Sequence, residues 1–156
     1  QAVLCQKAGS MNKEDVKFLV VHCSYTPPAM DIGASDIDRW HREKGWLGIG
    51  YHFVIKRDGT IENGRPITKQ GAHVKGLNNR SIGVCMIGGM LPSKSGPDIN
   101  YTDAQWKTLR EKLDELRKDH FPHATVKGHT DFDKGKTCPN FDAGKWYETE
   151  EIVPTI

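Results

Sequence analysis

Histidine and cysteine residues at two separate places in the chain could together form a metal site. His22 follows the apolar run at residues 18–21, and His129 follows a second strand-like run at residues 125–128. Cys138 lies beyond His129 in a polar loop that is long enough to fold back. Two imidazoles and a thiolate form a ligand set that zinc favours, and three protein ligands leave a fourth position open. An open position is typical of a catalytic zinc site.

The spacing of these residues leaves other interpretations open. A histidine at a strand end is often a hydrogen-bonded structural residue, and the set matches no compact zinc signature. Cys138 and His129 could instead form a thiol–imidazole pair, although the sequence offers no evident residue to orient it. Cys23 adjoins His22, but neighbouring strand residues face opposite ways, so only one of them can face the site. Cys23 suits the core.

Other histidines present a similar choice between a structural and a functional role. Of the adjacent pair Tyr51 and His52, one residue should face the site and the other should face away. His41 lies on a predicted helix, and we expect it at the surface or half-buried. His73 lies in a glycine-flanked loop and is either structural or a contact to substrate.

The hydrophobic patterns predict strands interleaved with helices, which indicates a single domain of the α/β (α+β) class with helices on a sheet. The predicted strands cover residues 18–21, 51–56, 81–87 and 125–129 with a return strand from residue 61, and the predicted helices cover residues 35–45, 102–120 and 142–146. The run at 81–87 is apolar after Ser81 and is predicted to be central.

Local motifs predict how several of these elements begin and turn. Ser35 with Asp38, and Thr102 with Gln105, have the spacing of capping boxes at two helix starts. The Asp-Gly pair at 58–59 predicts a type I′ hairpin turn.

Length and charge limit the class of protein further. The chain has 156 residues and a formal net charge of +2, which fits one domain but is too weakly basic to indicate nucleic-acid binding. An anionic partner such as a cell wall is compatible with it. The four cysteines form no CxxC pair, and we expect them to be reduced.

The N-terminal residues carry no secretory signal pattern, which predicts synthesis in the cytoplasm. Residues 9–11 (Gly-Ser-Met) have the form of a cloning remnant before a native start. We therefore interpret residues 1–10 as a tail and residues 11–156 as the domain. No apolar stretch is long enough to span a membrane.

Four runs of sequence resemble, in the same order, the N-acetylmuramoyl-L-alanine amidases of the peptidoglycan-recognition superfamily. The likeness is greatest to the amidase-type lysozymes (endolysins) of T-odd coliphages, and it covers about residues 16–147. The runs are VVHCS (20–24), GYHFVIKRDGTIENGR (50–65), GAHVKGLNNRSIGVCMIGG (71–89) and GHTDFDKGKTCPNFD (128–142).

The resemblance implies a central mixed sheet flanked by helices, with one zinc ion per chain in a surface cleft. It implies His22, His129 and Cys138 as ligands and Tyr51 and Lys136 as catalytic residues, with Lys134 as a competitor for the role of Lys136. The implied reaction is hydrolysis of the amide between N-acetylmuramic acid and L-alanine by zinc-activated water, in peptidoglycan. His73 is expected to contact substrate.

The resemblance also implies a biological setting. We expect a monomer that acts on the cell wall in the periplasm after release by a separate pore-forming protein. Inhibition of the phage's RNA polymerase is a second role implied by the coliphage relatives. A non-catalytic wall-binding module is the alternative, but binding-only members of the superfamily lack the ligand cysteine, whereas Cys138 is present.

Overall fold

The computed structural model describes residues 9–156 of the chain. Most of the predicted tail at residues 1–10, including Cys5, therefore lies outside the described residues. The two described residues of the tail contact the domain, because the N–H of Gln70 donates to the carbonyl of Gly9 at 2.6 Å and Ser10 pairs with Lys69. The boundary at residue 11 stays a prediction.

A five-stranded mixed sheet forms the centre of the molecule, as predicted. Its order is β3-β2-β4-β1-β5, with only β2 and β3 antiparallel. The run predicted to be central is β4, in the middle of the sheet. The strands are β1 (Phe18–Cys23), β2 (Phe53–Ile55), β3 (Ile61–Asn63), β4 (Ser81–Met86) and β5 (Thr125–Gly128).

Within residues 9–156, three α-helices cover the two faces of this sheet. They are α1 (Ala34–Glu43), α2 (Asp103–Asp119) and α3 (Ala143–Thr149). Leu19, Val21 and Cys23 of β1 belong to the larger hydrophobic cluster with α2 and α3, and a second cluster contains Ile37 of α1. Because strand residues alternate between faces, His22 projects to the face that carries α1.

The capping box predicted at the start of α2 is confirmed. The N–H of Gln105 donates to Thr102 Oγ1 at 3.1 Å, and the N–H of Thr102 donates to Gln105 Oε1 at 2.9 Å. Leu109, Leu113 and Leu116 form the buried stripe that packs on the sheet. No helix of the described residues is long and apolar enough to cross a membrane.

The capping box predicted for α1 is wrong by two residues. The helix begins at Ala34, so Ser35 lies inside it, and the N–H of Gly33 donates to Asp36 Oδ2 at 3.1 Å. Glycine supplies no capping side chain, and the acidic residue three positions later therefore carries the interaction that fixes the helix start. Asp38 has a different role in the structure.

The turn between β2 and β3 is also different from the predicted type I′ turn. The N–H of Lys56 donates to the carbonyl of Thr60, which encloses a three-residue loop. Only Gly59 of the Asp-Gly pair has a positive φ, at 87°. One left-handed glycine after a regular turn is the usual form of a three-residue hairpin loop, whereas type I′ needs positive φ at both central residues.

Candidate metal centre

The two predicted histidine ligands meet because their strands are adjacent and parallel. The register of β1 and β5 pairs Val21 with Gly128, so His22 and His129 are the next residues along. Their ring centroids lie 4.7 Å apart. His22 is 1% exposed and His129 is half-buried, so the pair opens toward the surface on the side of His129.

Cys138 joins the two histidines because its loop is fixed to the end of the sheet. The carbonyl of Cys138 accepts the N–H of Thr130 at 2.9 Å, and its Sγ accepts the N–H of Cys23 at 3.0 Å. The loop can approach because Gly128 has no side chain, and a Cβ there would lie 2.9 Å from Pro139 Cδ. The segment between His129 and Cys138 is thus one loop that leaves the end of the sheet and folds back to it.

The ligand atoms of His22, His129 and Cys138 all lie within 4.8 Å of one another. Burial lowers the pKa of His22, and the neighbouring histidines lower it further. Burial lowers the pKa of His129; the negative charge of Asp133 opposes this shift and the positive charge of Lys136 adds to it. Both imidazoles are therefore neutral near pH 7, as metal ligands must be. Two nitrogens and a sulfur in this arrangement fit zinc, which favours this donor set.

The thiol of Cys138 must lose its proton to bind a metal. Burial of the sulfur raises its pKa, so the metal-free side chain is a thiol at neutral pH. A bound divalent cation stabilises the thiolate and releases the proton. The other described cysteines, Cys23 and Cys85, are buried and free, and the predicted place of Cys23 in the core is confirmed.

Tyr51 is the member of the Tyr51–His52 pair that faces the predicted ligands. Its ring centroid lies 5.0 Å from that of His22. Burial raises its pKa well above the ordinary tyrosine value, so its hydroxyl remains protonated at neutral pH. Lys136 and Lys134 are both exposed on the loop before Cys138.

The structure buries three further histidines, His41, His73 and His52. His41 is 9% exposed and Nδ1 accepts the N–H of Gly50 at 2.9 Å, so the expected surface or half-buried position is wrong. His73 is also 9% exposed, and its Nδ1 lies 2.8 Å from Nε2 of His22. His52 is fully buried, with Nδ1 accepting the N–H of Gly83 and Nε2 donating to the carbonyl of Lys69.

The burial of His52 makes folding stability depend on pH. Burial lowers its pKa from 6.5 to about 4, so the unfolded chain binds a proton in this window and the folded chain does not. We expect this histidine to contribute stability above about pH 6.5 and to lose it progressively toward pH 4, by on the order of 3 kcal/mol.

The matched variant is His52→Gln, whose amide can accept from Gly83 and donate to Lys69 but does not titrate. Urea unfolding in EDTA, between about pH 7 and about pH 4, should give a steeper pH dependence for wild type than for the variant. Parallel curves would show that His52 does not carry the effect. The effect of His52 is the difference between the two pH dependences, because other buried histidines also make the stability of both proteins depend on pH.

Comparisons with known proteins place the chain in a family. The sequence pattern of the family described as N-acetylmuramoyl-L-alanine amidase matches residues 12–141. The chain is 45% identical over 141 residues to an endolysin of Klebsiella phage KP32, with 90% of this chain and 91% of the relative covered. It is 43% identical over 141 residues to the endolysin of Escherichia phage T7, with the same coverage.

A solved structure supports the same assignment. The N-acetylmuramoyl-L-alanine amidase LysC from Clostridium intestinale superposes with a TM-score of 0.68 at 29% identity, covering 85% of this chain and 82% of that chain. The matched span contains His22, His129 and Cys138. The chain therefore belongs to the N-acetylmuramoyl-L-alanine amidase family.

Proposed function

We propose that the chain is a phage-type endolysin that hydrolyses the amide bond between N-acetylmuramic acid and L-alanine in bacterial peptidoglycan. The observation that carries the proposal is the convergence of His22, His129 and Cys138 within 4.8 Å, in a chain of the amidase family. The similarity to phage endolysins over about nine tenths of the chain supports the biological setting.

His22, His129 and Cys138 would hold one zinc ion per chain. Zinc bound by three protein ligands can polarise the scissile carbonyl and lower the pKa of a water molecule in the open position to about 7. The surrounding side chains would orient the scissile carbonyl and the water molecule. Because His129 and Cys138 are half-buried whereas His22 is fully buried, substrate would approach from the side of the first two.

Tyr51 would act as a hydrogen-bond donor. Burial raises its pKa in the metal-free protein, and we assign the hydroxyl the orientation of the carbonyl or the water. Its packing against His22 and His41, with ring centroids 5.0 and 5.6 Å away, fixes the ring beside the ligands. A ring fixed in advance loses little entropy when substrate binds.

Lys136 would stabilise the negative charge that develops on the carbonyl oxygen. Its ammonium group is close enough to His129 to lower the pKa of that imidazole. A positioned cation at this place favours the transition state over the ground state, because the oxygen becomes charged only as the amide is attacked.

Mass spectrometry of digested peptidoglycan tests the reaction itself. We expect free stem peptides with L-alanine at the N-terminus and glycan strands with intact N-acetylmuramic acid, because only the amide is cut. New reducing sugar ends would indicate a glycosidase and contradict the proposal. Wall binding without any product would favour the alternative, a non-catalytic peptidoglycan-binding module.

The proposed setting is the bacterial cell wall. We propose that the protein is made in the host cytoplasm, reaches the wall after release by a separate pore-forming protein, and acts as a monomer. Addition of the purified protein to permeabilised and to intact Gram-negative cells tests this order: lysis of the permeabilised cells alone is expected, and equal lysis of both would contradict the need for release.

A further inference from the structure

His73 is a buried histidine that forms a hydrogen bond with the proposed ligand His22. Its Nδ1 is 2.8 Å from Nε2 of His22, and its Nε2 is 3.2 Å from Oγ of Ser81. Both ring nitrogens are therefore engaged inside the protein. The residue is 9% exposed, which leaves little of the side chain for contact with a substrate.

The direction of these hydrogen bonds is fixed at one end by a carbonyl group. Oγ of Ser81 lies 2.7 Å from the carbonyl oxygen of Leu77, which can only accept, so the serine hydroxyl donates there. The same hydroxyl has no second proton. It must accept from Nε2–H of His73, and a neutral His73 then has an unprotonated Nδ1 that accepts from His22.

The consequence for His22 is a defined tautomer. Its Nε2 carries the proton and donates to His73, which leaves the lone pair on Nδ1 available for a metal. Ligand histidines commonly donate their other ring N–H to a protein acceptor, and this bond sets the ring orientation and raises the basicity of the ligand nitrogen.

The backbone around His73 is shaped to hold the ring in this position. A Cβ on Gly83 would lie 2.7 Å from Cγ of His73, and one on Gly71 would lie 2.6 Å from its Cδ2. Oδ1 of Asn78 accepts the N–H groups of His73 and Val74 at 2.8 and 2.9 Å. The two glycines make room for the ring and the asparagine fixes its backbone.

We propose that His73 is a positioning residue for the metal centre: through the chain Leu77–Ser81–His73 it fixes the tautomer and orientation of the ligand His22. The inference rests on the proposed metal site and assigns His73 a role other than the expected contact to substrate. The role requires an acceptor at Nδ1 of residue 73.

Two substitutions separate the acceptor from the volume of the side chain. His73→Asn places an amide oxygen near the position of Nδ1 and can still accept from His22, whereas His73→Leu fills space without an acceptor. We expect zinc affinity, measured on the zinc-loaded proteins by competition with a chelator, to fall about 10- to 100-fold for His73→Leu. The asparagine variant should recover most of this loss.

The control is His52→Gln, which changes a neighbouring buried histidine that forms no hydrogen bond to a ligand. Its zinc affinity should stay within about twofold of wild type, since the effect belongs to the bond with His22 and not to any buried imidazole. Wild-type affinity in His73→Leu, with a raised KM as the only defect, would overturn the inference and return His73 to substrate binding.

Nitrogen NMR of the metal-free wild type tests the tautomers without any variant, and so remains informative if His73→Leu does not fold. We expect Nε2–H forms for both His22 and His73 near neutral pH; an Nδ1–H form of His22 would contradict the proposal. If the wild type binds no zinc, the metal site itself fails. If zinc binds tightly and its affinity does not depend on residue 73, the metal site stands and only the positioning role of His73 is contradicted.

Discussion

Replacing Cys138 with serine should remove zinc from the protein and lower peptidoglycan hydrolysis by at least about 10³-fold. A serine hydroxyl is a much poorer zinc ligand than a thiolate, and two imidazoles alone leave an incomplete site. Loss of the metal removes both carbonyl polarisation and the water of lowered pKa, which together contribute several kcal/mol to the rate. Zinc content by elemental analysis and turnover on purified peptidoglycan measure the two effects.

The fold should survive this substitution. Cys138 is half-buried, and a serine oxygen can still accept the N–H of Cys23, so metal-free stability should change by less than about 1 kcal/mol. Binding to insoluble peptidoglycan should persist. Cys85→Ala removes a buried thiol of β4 that is not a ligand, and this control should retain about one zinc per chain. A Cys138→Ser protein with full zinc and turnover would contradict the site.

Replacing Lys136 with alanine should leave zinc bound and reduce kcat about 10²- to 10³-fold, because one stabilising group for the developing oxyanion is lost. KM should change little, since the interaction strengthens only in the transition state. Steady-state kinetics on a soluble muropeptide, together with zinc analysis, separate loss of catalysis from loss of metal.

Lys134→Ala is the matched control, because Lys134 lies on the same loop with the same charge and similar exposure. The kcat of Lys134→Ala should stay within about twofold of wild type, because we expect the ammonium group of Lys136 itself, and not the total positive charge of the loop, to stabilise the oxyanion. A reversed result would move the role to Lys134. Equal losses in both variants would indicate a diffuse electrostatic contribution in place of a positioned cation.

The sequence predicted the sheet and the long helix well because their signals are local. The capping box at Thr102 and Gln105 and the leucine stripe of α2 need no partner elsewhere to be recognised. The sequence could predict that His22 and His129 lie at the same edge of the sheet, because each follows a predicted strand. Their direct proximity depends on the register of β1 with β5, which no local pattern encodes.

The start of α1 was predicted wrongly because distant residues decide it. The N–H of Ala34 donates to the carboxylate of Glu62 on β3, at 2.7 Å. Asp38, the predicted capping partner, instead accepts from Arg42 and from the N–H of Ile49 beyond the helix. Tertiary contacts of this kind override local propensity, and the chain segment after α1 also buries His41.

The role of His73 was not readable from its glycine-flanked loop. A glycine on each side of a histidine suggests a flexible surface segment, whereas Gly71 and the distant Gly83 make space for the ring in the interior. The signal that could have indicated burial was Ser81 at the start of the central apolar strand, because a hydroxyl there needs a polar partner.

The parallel pairing of β1 with β5 makes metal occupancy a measure of global folding. His22 and Cys138 are separated by roughly a hundred residues of sequence, so the three side chains come together only when the whole domain is folded. The unfolded chain offers no such cluster, and free zinc at about 1,000 times its dissociation constant would add about 4 kcal/mol to the free energy of unfolding. Metal supply would therefore set the thermal resistance of the protein as well as its turnover.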